Sequence, residues 1–254
     1  MTIRFVDKPE IRLRNAPLSE VVCQVKFPPN LRLSKDAPVE FQEVVRDHFP
    51  ELNIEQGVVV QFPSPLSPEN PAVEQMPKIF RFLTADGQAY IALAPDFIAL
   101  TNLKYTHWGD FLLNLELAAK ALMELYRPPY GTRIGLRFVN RITQQNTKCE
   151  NFEQVLELFR PELTCFLRVD AWTEPVEMLS RILLQDDSGK LSLRYGFGKD
   201  QNEPFFLLDF DYFEEGQLNL DNLYQRLEHY HTRIYAAFRW CLLDESLKRF
   251  EPLS

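Results

Sequence analysis

The sequence predicts an α+β protein in which two βαβββα repeats form a large, mostly antiparallel sheet with two long helices packed on one face. Three observations lead to this fold class. Short segments alternate apolar and polar residues, two long segments repeat apolar residues every three to four positions, and both kinds recur in the same order in each half. With 45% hydrophobic residues in 254, the chain can also bury a large core.

The first half begins with a strand and a short helix. Residues 18–27 alternate apolar and polar side chains, which is typical of a half-buried strand, and two prolines end the segment. Pro38 opens a short helix that we expect to end at Pro50. Residues 57–62 predict a second strand. Residues 63–77 contain five prolines, which indicates a surface loop that could contact a partner.

A hairpin and a long helix complete the first half. Residues 78–83 and 88–93 flank an Ala-Asp-Gly turn, and we expect the second strand to continue through residues 97–100. From Thr106, the predicted N-cap, apolar residues recur every three to four positions as far as Tyr126. This spacing predicts an amphipathic helix.

The second half repeats this order of elements. A strand, a short helix, three strands, a long helix and a short helical tail are predicted over residues 132–142, 152–159, 176–184, 190–197, 205–213, 220–242 and 244–250. The halves share element order and almost no residue identity. We therefore predict an internal duplication with halves at residues 1–130 and 131–254, fused into one globular unit and related by a pseudo-twofold axis.

Two motifs resemble the hallmarks of a known family. Residues 15–18 (Asn-Ala-Pro-Leu) with Glu-Val-Val at 20–22, and residues 135–142 (Gly-Leu-Arg-Phe-Val-Asn-Arg-Ile), are similar to those of a sporadically distributed prokaryotic family of proteins of this length. That family is functionally uncharacterised, so the resemblance implies no catalytic residues. The element order is also similar to duplicated effector-binding folds of the gyrase-inhibitor and haem-binding SOUL type, which hold ligands between their halves.

Charge and motif content disfavour several classes of protein. The net charge is -8 and no basic stripe is visible, so a whole-protein nucleic-acid binder is not expected. The four cysteines are widely spaced, and residues 1–13 lack the apolar core of a signal peptide, which predicts a reduced, cytoplasmic protein without membrane spans. The sequence contains no motif of a standard hydrolase, NTPase or dehydrogenase, and it indicates no cofactor or metal.

The strand at residues 132–142 is the most informative element for function. Arg133, Arg137 and Arg141 share one face of this strand, and like charges on one face repel each other unless anionic groups lie nearby. Asn140 lies on the opposite, apolar face, where its amide must find a hydrogen-bond partner.

Anionic groups for these arginines are present on the strand at residues 205–213. Asp209 and Asp211 share one face of it, and Arg194 and Arg181 add basic groups to the neighbouring strands. Three interpretations remain open: a lattice of ion pairs across the sheet, an anion-binding groove in which arginines hold a phosphate or carboxylate, and a contact surface for a protein partner. Paired aspartates could also hold Mg²⁺, although spacing ties no third carboxylate to them.

The candidate functional residues are therefore the following: Arg133, Arg137, Asn140, Arg141, Arg194, Asp209 and Asp211. We expect a non-enzymatic binding or adaptor protein that acts through a protein partner, as an accessory factor in a stress or defence operon. The first alternative is a sensor that binds a small anionic effector between the two halves. The second is a metal-dependent nuclease or phosphodiesterase that uses the two aspartates.

Overall fold

The fold is known from a computed structural model that describes residues 3–56, 58–61, 72–75, 77–169, 171 and 175–253. It is an α+β protein with a large antiparallel sheet of nine strands and several helices, which confirms the predicted fold class at this level. The strands are β1 (Leu18–Lys26), β2 (Glu51–Glu55), β3 (Val58–Gln61), β4 (Ala72–Gln75), β5 (Ile79–Leu83), β6 (Ala89–Ala94), β7 (Phe97–Asn102), β8 (Gly131–Ile142), β9 (Met178–Gln185), β10 (Lys190–Asp200) and β11 (Glu203–Leu218).

The helices vary widely in length. They are α1 (Leu31–Lys35), α2 (Val39–Val45), α3 (Trp108–Leu125), α4 (Gln144–Thr147), α5 (Phe152–Leu156), α6 (Pro161–Thr164) and α7 (Leu223–Cys241), with 3-10 helices at Cys165–Leu167, Leu220–Asn222 and Asp244–Phe250. Within the described parts of the chain, no helix combines the length and the apolar character that crossing a bilayer requires.

The nine strands of the large sheet follow the order β2-β5-β6-β7-β1-β8-β11-β10-β9, while β3 and β4 pair separately. By internal packing the chain divides into two compact units. The first unit comprises Met1–Val22 and Ile134–Ser254, and the second comprises Cys23–Arg133. Packing units and duplicated halves are different properties, so the predicted halves at residues 1–130 and 131–254 stay a prediction.

In the second unit, helices α2 and α3 pack together and α3 packs on β7. Apolar side chains fill this core: the rings of Phe41 and Phe82 lie 5.3 Å apart, and both are fully buried with Ile91 and Phe111. Burying a ring of this size contributes roughly 2–3 kcal/mol.

Three local predictions in the second unit were wrong. Phe97–Asn102 is a separate strand, because the chain turns back at residues 95–96 and Pro95 cannot donate to a ladder. The N-cap of α3 is His107, whose Nδ1 accepts a 3.0 Å hydrogen bond from the amide of Gly109; Thr106 instead donates to Asp110. Part of the proline-rich segment forms β4, which pairs with β3; its remaining residues 63–71 and 76 lie outside the described residues.

In the first unit, β9, β10 and β11 form an antiparallel meander, and α7 packs on β11. The side chains of Phe206, Leu208, Phe210 and Tyr212 alternate onto the helix-covered face and are fully buried. The rings of Tyr212 and Tyr230 of α7 pack together with their centres 4.7 Å apart. The alternate side chains of the same strands point to the other face, where the charged candidate residues of this unit lie.

Candidate functional site

The side of the first unit's sheet opposite α7 carries the charged residues singled out from the sequence. We call it the arginine face, defined by Arg137, Arg141, Arg194, Asp209 and Asp211. It exists because β8, β10 and β11 each place alternate residues on this side. The apolar alternates anchor the strands, so the charged side chains project from a fixed backbone.

Asp209 is the centre of the arginine face. Its Oδ1 and Oδ2 accept hydrogen bonds of 2.8 Å each from Nε and Nη2 of Arg137, and its Oδ2 also lies 2.7 Å from Nη2 of Arg194 in an ion pair. The Asp209 side chain is only 3% exposed, whereas those of Arg137 and Arg194 are 35% and 37% exposed. A buried carboxylate thus holds two arginine side chains that are each about a third exposed.

Electrostatics favour this arrangement in its charged form. Hydrogen bonding to Asp209 is the largest cause that raises the pKa of Arg137 above its ordinary value, and burial opposes it. Glu20 and Asp211 raise the same pKa further through their charges. Arg137 therefore stays protonated, and a bidentate pair of this kind fixes the plane of its guanidinium.

Strand register explains why Arg194 reaches the same carboxylate. Arg194 of β10 lies directly opposite Asp209 of β11, and Ser192 lies opposite Asp211. Oppositely charged residues at facing positions of an antiparallel pair attract each other. Arg194 also faces Arg181 of β9, whose Nε donates instead to Ser192 Oγ at 3.0 Å.

Arg141 has a different environment from the other two arginines. Its Nη2 donates to Asp200 at 2.9 Å, and its guanidinium lies 4.1 Å from the ring centre of Phe205. A cavity of about 390 Å³ adjoins it and is lined by Arg141, Thr143, Asp200, Gln201, Glu203 and Phe205. Two carboxylates in this lining counteract the positive charge, so the cavity is a poor site for an anion.

Arg133 belongs to the second unit, where its Nη1 donates to Gln24 Oε1 at 3.3 Å. The structure therefore brings Arg137, Arg194 and Asp209 together, and it gives Arg133 and Arg141 partners of their own. Their common strand face predicted a row of arginines, but each arginine's partner depends on the neighbouring strand.

Asn140 is 5% exposed on the apolar face of β8. Its Nδ2 donates a 3.2 Å hydrogen bond to the carbonyl oxygen of Leu208 in β11. A buried amide with a backbone partner satisfies the requirement for pairing. In this geometry Asn140 joins two strands and does not face solvent.

The two aspartates are a weak metal site in this geometry. Both oxygens of Asp209 already contact guanidinium groups, and Asp211 contributes negative charge beside Arg137. Among the described residues, no group of three or more His, Cys, Asp or Glu side chains could hold a metal ion.

Sequence reasoning missed a second charged cluster in the first unit. Asp186 and Arg233 are both buried, and Nε of Arg233 donates to Asp186 Oδ2 at 2.9 Å. Tyr212 donates to the same oxygen at 3.2 Å, and burial raises the pKa of Tyr212 to about 12. The available signal was an arginine at position 233, between Tyr230 and Ile234 on the apolar face of a helix.

The same arginine holds the N-terminal segment against α7. Nη1 of Arg233 donates to Asp7 Oδ1 at 2.8 Å and to the carbonyl of Phe5 at 3.2 Å, and Nη2 donates to the carbonyl of Ile3 at 3.2 Å. The ring of Phe5 also packs 5.2 Å from that of Trp240. The buried charges of Asp186 and Arg233 therefore serve to hold the N-terminal segment against α7.

Comparison with known proteins adds no family to this picture. No protein-family model matches the chain, and no curated protein is significantly similar to it.

Proposed function

We propose that this chain is a non-enzymatic binding protein that contacts a protein partner through the arginine face. One observation carries the proposal: Arg137 and Arg194 expose about a third of their side chains, the buried Asp209 contacts both, and its bidentate contact fixes the guanidinium plane of Arg137. Arginine is enriched in the energetically dominant positions of protein interfaces. A guanidinium that is already oriented loses little conformational entropy when a partner binds.

Donor capacity supports the same function. The contacts to Asp209 use Nε and Nη2 of Arg137 and Nη2 of Arg194. The remaining guanidinium nitrogens, Nη1 of Arg137 and Nε and Nη1 of Arg194, make no hydrogen bond within the described residues. Two guanidiniums share a single carboxylate, so these three residues together carry one surplus positive charge, which the neighbouring charges of Glu20 and Asp211 reduce. A partner that presents acidic side chains would match both the charge and the unused donors.

Site-specific photo-crosslinking tests this proposal. A photoreactive amino acid replaces Leu207, which lies on the arginine face of β11, and the matched control replaces Tyr224, which is 38% exposed on α7. We expect one discrete adduct from position 207 in extracts of the native host, and none from position 224. The adduct should disappear when Arg137→Ala and Arg194→Ala are added, and persist with Arg46→Ala, an exposed arginine paired with Glu43. Equal labelling from both positions, or none from 207, would refute the proposal.

The surplus charge also favours a second function, a sensor for a small anionic ligand. The ligand would bind Arg137 and Arg194, because Asn140 is buried and Arg141 lies between carboxylates. A thermal-shift screen with nucleotides and small carboxylic acids should then show a rise in melting temperature that Arg137→Ala abolishes and Arg46→Ala preserves. A screen without any rise would remove this alternative.

A metal-dependent nuclease or phosphodiesterase is the function that the geometry supports least. A divalent cation at Asp209 would have to displace two guanidinium groups that already hold both oxygens. Magnesium-dependent cleavage of nucleic acid that is lost in Asp209→Asn and Asp211→Asn would establish it. Cleavage that survives both substitutions would exclude these aspartates.

We further propose that the chain arose by duplication of a βαβββα unit. In the first half, the meander β5-β6-β7 ends beside β1, and the long helix α3 follows β7; in the second half, β9-β10-β11 ends beside β8, and α7 follows β11. Each long helix packs on the strand that precedes it. The first half adds β2, β3 and β4, which the second lacks within the described residues.

The family resemblance and the cellular setting belong to the same proposal. The Asn-Ala-Pro-Leu and Gly-Leu-Arg-Phe-Val-Asn-Arg-Ile motifs support membership of the uncharacterised prokaryotic family, with a role as an accessory factor in a stress or defence operon. The second motif supplies Arg137, Asn140 and Arg141 of β8. All four cysteines are free thiols, which supports a reducing, cytoplasmic location.

A further inference from the structure

Strand β9 at the end of the sheet exposes an unusual number of large aliphatic side chains. Leu179, Ile182 and Leu183 are 59%, 40% and 51% exposed, and Val176 just before the strand is 86% exposed. Four such residues within eight consecutive positions make this edge of the sheet apolar. Two of them, Leu179 and Leu183, share a face with Arg181, and the other two lie on the opposite face. Scattered single aliphatics are normal on protein surfaces, whereas several in one edge segment indicate an interaction site.

The same strand has an open edge. β9 is the last strand of the sheet and pairs with β10 on one side only; no strand in the described parts of the chain pairs with its other edge. An open edge presents unpaired backbone N–H and C=O groups that can pair with another strand. Proteins usually protect such an edge with charges or prolines, and the eight residues of β9 contain one charged residue and no proline.

The sequence around β9 is complementary to itself in one antiparallel register. Suppose that two copies pair about a twofold axis perpendicular to the sheet. Residues that face each other across the two strands must then point to the same face of the sheet, so one residue at the centre faces its own equivalent in the other copy. We name each register by this central residue, through which the axis passes. Val176 and Glu177 precede β9, so this pairing requires the strand to lengthen by two residues. An axis through Leu179 then places Glu177 of each copy opposite Arg181 of the other, Val176 opposite Ile182, and the two Leu179 side chains together. These are two ion pairs and three apolar contacts.

Neighbouring registers lack this complementarity. An axis through Arg181 places the two guanidiniums opposite each other, and an axis through Ser180 places Glu177 opposite Leu183. Like charges directly opposite each other destabilise a strand pair, while opposite charges stabilise it. Arg181 is an exposed residue whose Nε bonds Ser192 of β10, so a contact with Glu177 of a partner strand would use its Nη1 or Nη2.

We propose that a second copy of this chain binds at β9, so that two sheets join edge to edge in an antiparallel pair centred on Leu179. The contact area of about seven residues from each chain is small, so the dimer should dissociate in the micromolar range. The dimer does not use Arg137 or Arg194, although Arg181 faces Arg194 on the same side of the sheet, and a failure of either proposal leaves the other standing.

Disulfide trapping tests the register directly. In a Cys165→Ser background, which removes the exposed native thiol, Leu179→Cys places two thiols on the twofold axis at a separation that a disulfide can bridge. We expect a covalent dimer under mild oxidation. The matched control is Leu183→Cys, which replaces another exposed leucine of the same strand. In the proposed register the two residues at position 183 lie far apart, so this variant should stay monomeric on a non-reducing gel.

Charge reversal provides a second, reversible test. Sedimentation velocity should show a concentration-dependent dimer, and Glu177→Arg or Arg181→Glu alone should weaken it at least about tenfold, since each creates two like-charge pairs. The double variant Glu177→Arg/Arg181→Glu should restore it.

Two results would overturn the proposal. One is a wild-type chain that stays monomeric up to about 200 µM, because even a small specific interface is populated at that concentration. The other is a dimer trapped at position 183 in preference to position 179, because that outcome requires a different strand register.

Discussion

Replacing Asp209 with alanine is the sharpest test of how the arginine face is held together. The substitution removes two hydrogen bonds with Arg137 and the ion pair with Arg194, and it leaves two guanidinium groups beside each other without their shared carboxylate. The positive charges then repel across the sheet. Water must also replace the lost acceptor at a position where only 3% of the Asp209 side chain is exposed.

The expected magnitude follows from burial. A hydrogen bond to a charged group contributes about 1.5–3 kcal/mol, which sets an upper bound of roughly 5–9 kcal/mol for the three contacts. The side chains of Arg137 and Arg194 are each about a third exposed, so in the variant water can replace much of the lost hydrogen-bond energy. We therefore expect a loss of about 3 kcal/mol in the free energy of unfolding. For a chain of this size, that corresponds to a fall in melting temperature of roughly 6–12 °C.

The measurement is urea unfolding followed by circular dichroism, with Asp200→Ala as the control. Asp200 also pairs with an arginine, but the side chains of Arg141 and Asp200 are 37% and 59% exposed. Such a pair contributes under about 1 kcal/mol. If Asp209→Ala costs no more than Asp200→Ala, then Asp209 does not organise the face, and the proposed function loses the observation on which it rests.

Three further predictions concern the thiols, the N-terminal segment and a glycine. At pH 8 a thiol reagent should label only Cys165 rapidly, because the other three cysteines are buried. Burial also raises the pKa of Cys23 from 9.0 to about 12, so the free energy of unfolding should decline as the pH rises from 9 towards 12. Arg233→Met should speed tryptic cleavage after Arg4 several-fold, measured by mass spectrometry, because Arg233 holds Ile3, Phe5 and Asp7. Gly196→Ala should lower the free energy of unfolding by about 1–3 kcal/mol in urea titrations, since its Cβ would overlap the carbonyl of Met178, whereas Gly198→Ala meets only the movable ring of Phe205 and should cost less.

Periodicity predicted the long elements closely. The predicted strand at residues 132–142 is β8, Gly131–Ile142, and the predicted helix at residues 220–242 contains α7, Leu223–Cys241. Both have long, regular apolar patterns that only one kind of secondary structure can bury. The strand β2, Glu51–Glu55, was missed because its residues are mostly exposed and carry no clear alternation.

The candidate site was predictable only in part. Alternation placed Arg137 and Arg141 on one face of β8, and Asp209 and Asp211 on one face of β11. It could not show that Arg137 and Arg194 would share Asp209 while Arg141 turned to Asp200. Which carboxylate each arginine contacts depends on which strands are neighbours and on their register. The periodicity of a single strand predicts neither of these.

The amino-acid sequence by itself determined which side chains share a face, because backbone geometry alone sets a period of two in strands and 3.6 in helices. Tertiary structure decided which of these faces meet. The hairpin turn at Gln201 and Asn202, both at positive φ, sets the register that brings Arg194 opposite Asp209. The burial of Asp186 with Arg233, 47 residues apart, likewise arises only when α7 packs against the sheet and excludes water from both charges.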